Sequence, residues 1–172
     1  EQGARMQMAV RRQLASSAGA DFRARTPVRP VTTTLANMLA KVHAERGVTI
    51  DVAVPDGLRF AGSSEDLEEI LGNLMDNACK WAATRVRVGG ALDDRSGLSL
   101  WVDDDGTGLS PEQAERVLSR GVRLDERVPG SGLGLAIVDD LVREHGGQLV
   151  FAHAPIGGLR AQVVFAPISA GH

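Results

Sequence analysis

The chain has 172 residues, 43% of them apolar and 24% charged, an ordinary globular composition with enough length for one domain and a sizeable core. A net charge of −3 argues against a generic nucleic-acid surface, and two Trp, four Phe and no Tyr are too few for a platform on which bases stack. Cys79 is the only cysteine, which excludes an intrachain disulfide and makes a reducing compartment the simpler setting; there is no apolar run of about eighteen residues to span a membrane and no signal peptide. The chain opens on Glu1 and is expected to be a segment of something longer.

Residues 1–15 carry Met6, Val10 and Leu14 four apart, a narrow apolar stripe on a basic helix, which SSAGAD at 16–21 interrupts. From Val31 a second helix is expected to bury Val31, Leu35, Met38, Leu39 and Val42 and to end at Gly47. VTIDVAV (48–54) alternates and is β-branched, as a strand requires. A long helix follows from Ser63 or Ser64 to about Ala82, and RVRVGGAL (85–92) and GLSLWVDD (97–104) form a hairpin around DDRSG. SPEQAERVLSR opens a helix with a capping Ser110 and Pro111 in the first turn. A loop rich in glycine and interrupted by proline covers 121–132, and LGLAIVDDLVREHGG is a helix closed by glycine. QLVFAHA and RAQVVFA end the chain as two strands joined at Pro155–Gly158. Strands and helices do not alternate as in a doubly wound fold. The expected class is α+β, a two-layer α/β sandwich with a mixed sheet and helices packed on one face.

Three stretches carry chemistry. In GNLMDNACKW (72–81), Asn73 and Asn77 stand one turn apart inside a helix, where asparagine is a poor choice because its amide competes for backbone hydrogen bonds. At 100° per residue, Leu67, Ile70, Leu71, Leu74 and Ala78 share one arc, and Glu69, Asn73, Asp76, Asn77 and Lys80 the next. Either that second arc is a solvated polar face, or it serves a metal-bound polyphosphate, with amide oxygens for a hard cation and lysine for phosphate oxygens. WVDDDGTGLS ends a strand in carboxylates and two glycines. A calcium loop fails there, because Ala114 falls where a bidentate glutamate is needed. An exposed acidic turn remains open, as does a carboxylate accepting from the exocyclic amine of adenine while the glycines admit the base. VPGSGLGLAIV places Gly130, Gly132 and Gly134 at a helix start, where backbone N–H groups suit phosphate. It is neither a Rossmann fingerprint nor a Walker A loop. Arg120, Arg123 and Arg127 lie just upstream, as phosphate ligands or as plain surface charges.

In this order and spacing the three stretches resemble the ATP-binding domain of sensor histidine kinases, of the GHKL or Bergerat-fold superfamily. EILGNLMDNACKW resembles the N box, DDGTG (Asp104 to Gly108) the G1 box and GSGLGLA (Gly130 to Ala136) the G2 box, and GGLRAQVVF is similar to the last glycine-turn-strand element. The lid RGVRLDERVPGSG is most similar to the PhoQ-type subfamily. The resemblance covers roughly residues 25–167. It implies a Bergerat sandwich binding ATP with Mg2+, in which Asn77 holds the metal, Asn73 and Lys80 meet phosphates or the metal's waters, and Asp104 accepts from adenine N6 with Gly106 and Gly108 giving room. It further implies that Gly130, Gly132, Leu133 and Gly134 border the phosphates at the lid hinge, that Trp81 stands at a tyrosine position beside the nucleotide, and that Arg123 is a lid phosphate ligand, while Arg127 falls one position out of register.

Related ATPases of the superfamily have a water-activating glutamate where this sequence has Asn73, which cannot act as a general base near neutral pH. The expected activity is therefore transfer of the γ-phosphoryl to a histidine rather than hydrolysis. An ATP-hydrolysing enzyme of the same fold, or an interaction domain that keeps the fold without nucleotide, are the alternatives. His43, His145, His153 and His172 lack the setting of an acceptor, so this chain alone is not expected to phosphorylate itself. Residues 1–20 are expected to be the remnant of a dimerisation and phosphoacceptor domain, with 21–172 the catalytic domain. The partners implied are ATP, that dimerisation domain and, indirectly, a response regulator, with no nucleic acid. The fragment is expected to be a monomer, and its parent to sit in the bacterial inner membrane with this domain in the cytoplasm.

Overall fold

The computed structural model describes residues 25–120 and 131–167, with backbone only at Arg120, Ser131, Gly132 and Leu133. The amino-terminal helix, the boundary at residue 20, and Arg123, Arg127 and Gly130 lie outside the described residues. The elements run β1 (Thr26–Pro27), α1 (Val28–Val42), β2 (Thr49–Ala53), β3 (Arg59–Phe60), α2 (Ser64–Trp81), β4 (Arg85–Leu92), β5 (Leu98–Asp104), α3 (Pro111–Arg120), α4 (Ser131–Glu144), β6 (Gly147–His153) and β7 (Leu159–Phe165). Five strands form one sheet in the order β2-β4-β5-β7-β6, parallel between β2 and β4 and antiparallel elsewhere. Since β2 and β4 run side by side in the same direction, the chain must cross between them, and α2 is the helix that makes the crossing. The α+β sandwich with a mixed sheet is thus as expected.

The helices build the core on one face of the sheet. Leu67, Ile70, Leu71, Leu74 and Ala78 of α2 are all buried, as the periodicity demands, and pack with Leu35 and Leu39 of α1, Leu135, Val138 and Leu141 of α4, and Val86, Val88, Leu100, Val102 and Val163 of the sheet. Each such side chain contributes about 1.5–3 kcal/mol by leaving water. Ser63 caps α2 by accepting from the Asp66 N–H at 3.1 Å. Ser110 and Gln113 form a reciprocal capping box at the start of α3, each side chain accepting from the other's N–H.

Two expectations need correction. The first helix starts at Val28, not Val31, because Pro30 in its first turn has no N–H to lose. Its buried residues are Val28, Thr32, Leu35, Ala36 and Leu39, while Met38, off to the side of that stripe, and Val42, at the helix's last position, stand 51% and 65% exposed. Gly47 does adopt a left-handed φ of +67°, but it closes a short 3-10 turn (Ala44–Arg46) that follows α1. The two-residue strands β1 and β3 pair as a separate ribbon that the sequence pattern did not announce, pinned by the Thr26 hydroxyl donating to the Gly62 carbonyl at 2.7 Å.

The far face of the sheet has its own polar layer. Asp103, with its side chain 2% exposed, accepts two bonds from Arg160, Nε at 2.8 Å and Nη2 at 2.9 Å, and the guanidinium lies 4.9 Å from the Trp101 ring centroid. The carboxylate in turn raises the Arg160 pKa, through the hydrogen bond foremost. Arg160→Ala strands a buried carboxylate, and is expected to lower the unfolding free energy at pH 7 by about 3 kcal/mol in urea titration.

Candidate functional site

The site is built on α2. Asn77 is 8% exposed, and among the described residues its Oδ1 is buried with no hydrogen-bond partner. A solvated polar face is thereby excluded for this residue. An amide oxygen buried without a partner costs about 1–3 kcal/mol, and a ligand that takes it up removes that cost. One turn back, the Asn73 amide nitrogen donates to its own helix at the Glu69 carbonyl, 2.7 Å away, which leaves Oδ1 as the outward atom. That oxygen faces Gly134 in the first turn of α4, where a β-carbon would stand 3.4 Å from it. The helix start that bears Gly132, Leu133 and Gly134 is thus brought to the asparagine pair.

Lys80 points elsewhere. Its ammonium pairs with Asp76 at 3.2 Å, and the other oxygen of Asp76 meets His43 Nε2 at 2.8 Å. The lysine is therefore at the outer edge of the polar arc rather than beside Asn77. Cys79, on the same turn, is buried; burial foremost, with the Asp76 charge adding and the Arg46 charge opposing, pushes its thiol up to about 11, so it stays an unreactive thiol.

The acidic glycine bend packs directly against the end of α2. Asp104 is 4% exposed, and its Oδ1 accepts from the Gly106 N–H at 2.9 Å and the Leu159 N–H at 3.3 Å. Burial raises its pKa most, the two N–H groups oppose that, and the charges of Asp105 and Asp103 add to the rise. Gly158 passes so close to this carboxylate that a side chain there would collide with Asp104 Oδ1. Gly106 is in contact with the Trp81 carbonyl and Gly108 with the face of the Trp81 ring. The two glycines therefore make room for tryptophan at the end of α2. The Trp81 Nε1 is buried without a partner among the described residues. Helix α2 carries Asn73, Asn77 and Trp81 at one-turn intervals, with Gly134 against Asn73 and with Gly106, beside Asp104, against Trp81.

Asp105 was missed in the sequence because it reads as one more acid in a run. Its Oδ1 accepts from the Ala83, Thr84 and Arg85 N–H groups at 2.9–3.0 Å, and its Oδ2 from the Thr84 hydroxyl at 2.6 Å. Desolvation works against its charge, yet the bonds from Thr84, Arg85 and Ala83 together outweigh it and hold the pKa down to about 2. Its folded value lies below its unfolded one. Its stabilisation is therefore complete above an unfolded pKa of about 3.9 and is lost as pH falls through about 2. Asp104 acts in the opposite sense, losing stability as pH rises through its raised value. An acid titration followed by circular dichroism is expected to show a shallower loss in that window for Asp105→Asn than for the wild type.

Comparison with known proteins gives the family. The sequence profile of the "Histidine kinase-, DNA gyrase B-, and HSP90-like ATPase" family matches residues 62–169. The chain belongs to that family, as a domain of the ATP-binding catalytic type found in sensor histidine kinases. It is 46% identical over 129 residues to the sensor protein kinase CarS of Pseudomonas aeruginosa, and 34% identical over 139 residues to the virulence sensor histidine kinase PhoQ of Salmonella typhimurium, which cover 75% and 81% of this chain. In both cases the match spans only 28% of the relative's length. Among solved structures, the mycobacterial sensor histidine kinase MprB superposes with a TM-score of 0.70 at 28% identity, covering 85% of this chain and 99% of that one. The ATP binding domain of PrrB from Mycobacterium tuberculosis shares the fold, with a TM-score of 0.64 at 23% identity over 88% of this chain and 100% of that one.

Among the described residues no helix is long and apolar enough to cross a membrane, and no three His, Cys, Asp or Glu side chains are grouped to hold a metal. A preformed cage is not what a magnesium site of this kind needs, because the ion binds through one or two protein oxygens and the phosphates of its nucleotide. The orphaned Asn77 Oδ1 fits that requirement.

Proposed function

We propose that this domain binds ATP with magnesium and transfers the γ-phosphoryl group to a histidine on a dimerisation domain of its parent protein. The γ-phosphorus to β-oxygen bond breaks, a nitrogen–phosphorus bond forms on the imidazole, and ADP leaves. A response regulator would take the phosphoryl group in turn, and the parent would hold this domain on the cytoplasmic side of a bacterial inner membrane. The observation that carries the proposal is Asn77 Oδ1, buried and unpartnered among the described residues, one helical turn from Asn73.

In this reading Asn77 is the metal ligand, and the magnesium ion, once bound, neutralises phosphate charge during transfer. Asp104 accepts from the adenine amine, held in place by the Gly106 and Leu159 amides. Asn73 turns its amide oxygen toward the α4 start, where Gly132, Leu133 and Gly134, with Gly130, would border the phosphates and Arg123 would be a phosphate ligand. Lys80 would leave Asp76 to reach phosphate, and Trp81 would line the nucleotide. Asn73 has no basic atom to activate water, which favours a protein nucleophile over hydrolysis.

Calorimetric titration of ATP with and without magnesium tests this, repeated with Asp104→Ala. Tight binding that needs magnesium and fails in the variant is expected, without steady phosphate release. Steady release would favour a hydrolase of the same fold. Stoichiometric phosphohistidine on this chain alone would contradict an acceptor located elsewhere. His43 and His145 are engaged by Asp76 and Asp66, each at 2.8 Å.

A further inference from the structure

The stretch joining α2 to β4, residues 79–85, is gripped from two sides by side chains that the proposed function leaves without a role. From the turn after α1, the Arg46 guanidinium donates to the carbonyls of Cys79 at 2.6 Å and Ala82 at 2.6 Å, and also to that of Lys80. These are carbonyls that the end of a helix leaves without partners, and a planar guanidinium can serve several at once. From the acidic bend, Asp105 takes the N–H groups of Ala83, Thr84 and Arg85. One cation thus holds the carbonyls and one anion the amides of a single short segment. Trp81 sits between the two grips, its carbonyl against Gly106 and its ring against Gly108.

The two grips span the site. Arg46 fixes the last turn of the helix that bears Asn77, four residues before Trp81. Asp105 is the chain neighbour of Asp104 and ties the bend that bears it to that same segment. We propose that Arg46 and Asp105 are positioning residues that set the separation between the Asn77 amide and the Asp104 carboxylate, so that one nucleotide reaches both. The inference rests on the nucleotide-binding reading above. Its consequence is specific: a ligand that needs only the base end is indifferent to the grips, whereas one that must touch both ends gains from them by the logic of linked subsites.

The experiment compares adenosine with ATP plus magnesium, by calorimetry well below the melting temperature, on the wild type and on Arg46→Gln, Arg46→Lys, Asp105→Ala and Asp105→Asn. Arg46→Gln and Asp105→Ala are expected to weaken magnesium-ATP about 10-fold or more, since a misplacement near 1 Å has effects of that order, while adenosine stays within about 2-fold of wild type. Arg46→Lys keeps a donor and Asp105→Asn keeps an acceptor oxygen, so both are expected to recover part of the loss; mere destabilisation would not produce that pattern. If the first two variants do not fold, the conservative pair decides, with an expected loss of about 3-fold confined to magnesium-ATP. Wild-type affinity for magnesium-ATP in folded variants, or equal losses for both ligands, would overturn the proposal. A wild type that binds adenosine but gains nothing from magnesium and phosphates would instead overturn the functional reading on which it rests.

Discussion

Asn77→Ala is expected to weaken magnesium-ATP by at least about 100-fold, the upper end of what even outer-sphere partners of a metal contribute, while leaving the free protein as stable as the wild type or slightly more so. The second half is unusual for a buried residue in the middle of a helix. It follows from the Asn77 oxygen having no partner among the described residues. A buried acceptor without a donor costs about 1–3 kcal/mol, and alanine removes that cost while having the best helix propensity. The small void left behind offsets part of the gain. Calorimetric melting and ATP titration on the same samples check both halves. A large drop in melting temperature would mean that the amide serves the fold, and the assignment of Asn77 to the metal would fall.

Gly158→Ala is expected to do the reverse, losing stability and nucleotide together. A β-carbon at Gly158 meets Asp104 Oδ1, and it also meets the Asp104 carbonyl oxygen at 2.6 Å and the Gly106 carbonyl oxygen at 2.7 Å. Two of the three obstacles are backbone, so no rotamer change relieves them. Overpacking of this kind costs about 1–3 kcal/mol or more. The relaxation is expected to push Asp104 away from the amides of Gly106 and Leu159 that hold its proposed base-binding carboxylate. Denaturant unfolding is expected to show the stability loss, and adenosine binding, which in the proposed reading uses Asp104 but not Asn77, is expected to fail along with ATP. This separates Gly158→Ala from substitutions at Asn77, which leave adenosine untouched.

What the sequence revealed was what periodicity and local chemistry encode. The core face of α2, the hairpin at 85–104, the capping Ser63 and Ser110 and the two closing strands all follow from one-turn or two-residue spacing, and all stand in the fold. Asn73 and Asn77 stood out because their residue type conflicts with their place in a helix. Met38 and Val42 were misplaced because apolar spacing marks a helix face without showing how far along it the neighbouring elements cover it. Arg46, Asp105 and Gly158 have partners that were invisible for a different reason, although Gly158 fell within the glycine turn read before the last strand. Each acts on a backbone atom 20 or more residues away, or in the case of Gly158 more than 50. Backbone partners leave no signature in residue type. Lys80 was read from its line along the helix, and the side chain instead follows its nearest opposite charge, Asp76.

Since α2 lies in the connection between two strands that pair side by side in parallel, the chain joins the sheet at 53 before it, by way of the β3 ribbon, and at 85 after it. Neither β2 nor β4 can detach without loosening the element that carries both asparagines. Nucleotide should therefore slow amide-proton exchange in β2, an edge strand on which no proposed site residue lies, and a cut between residues 53 and 59 should weaken ATP retention before it unfolds the remainder.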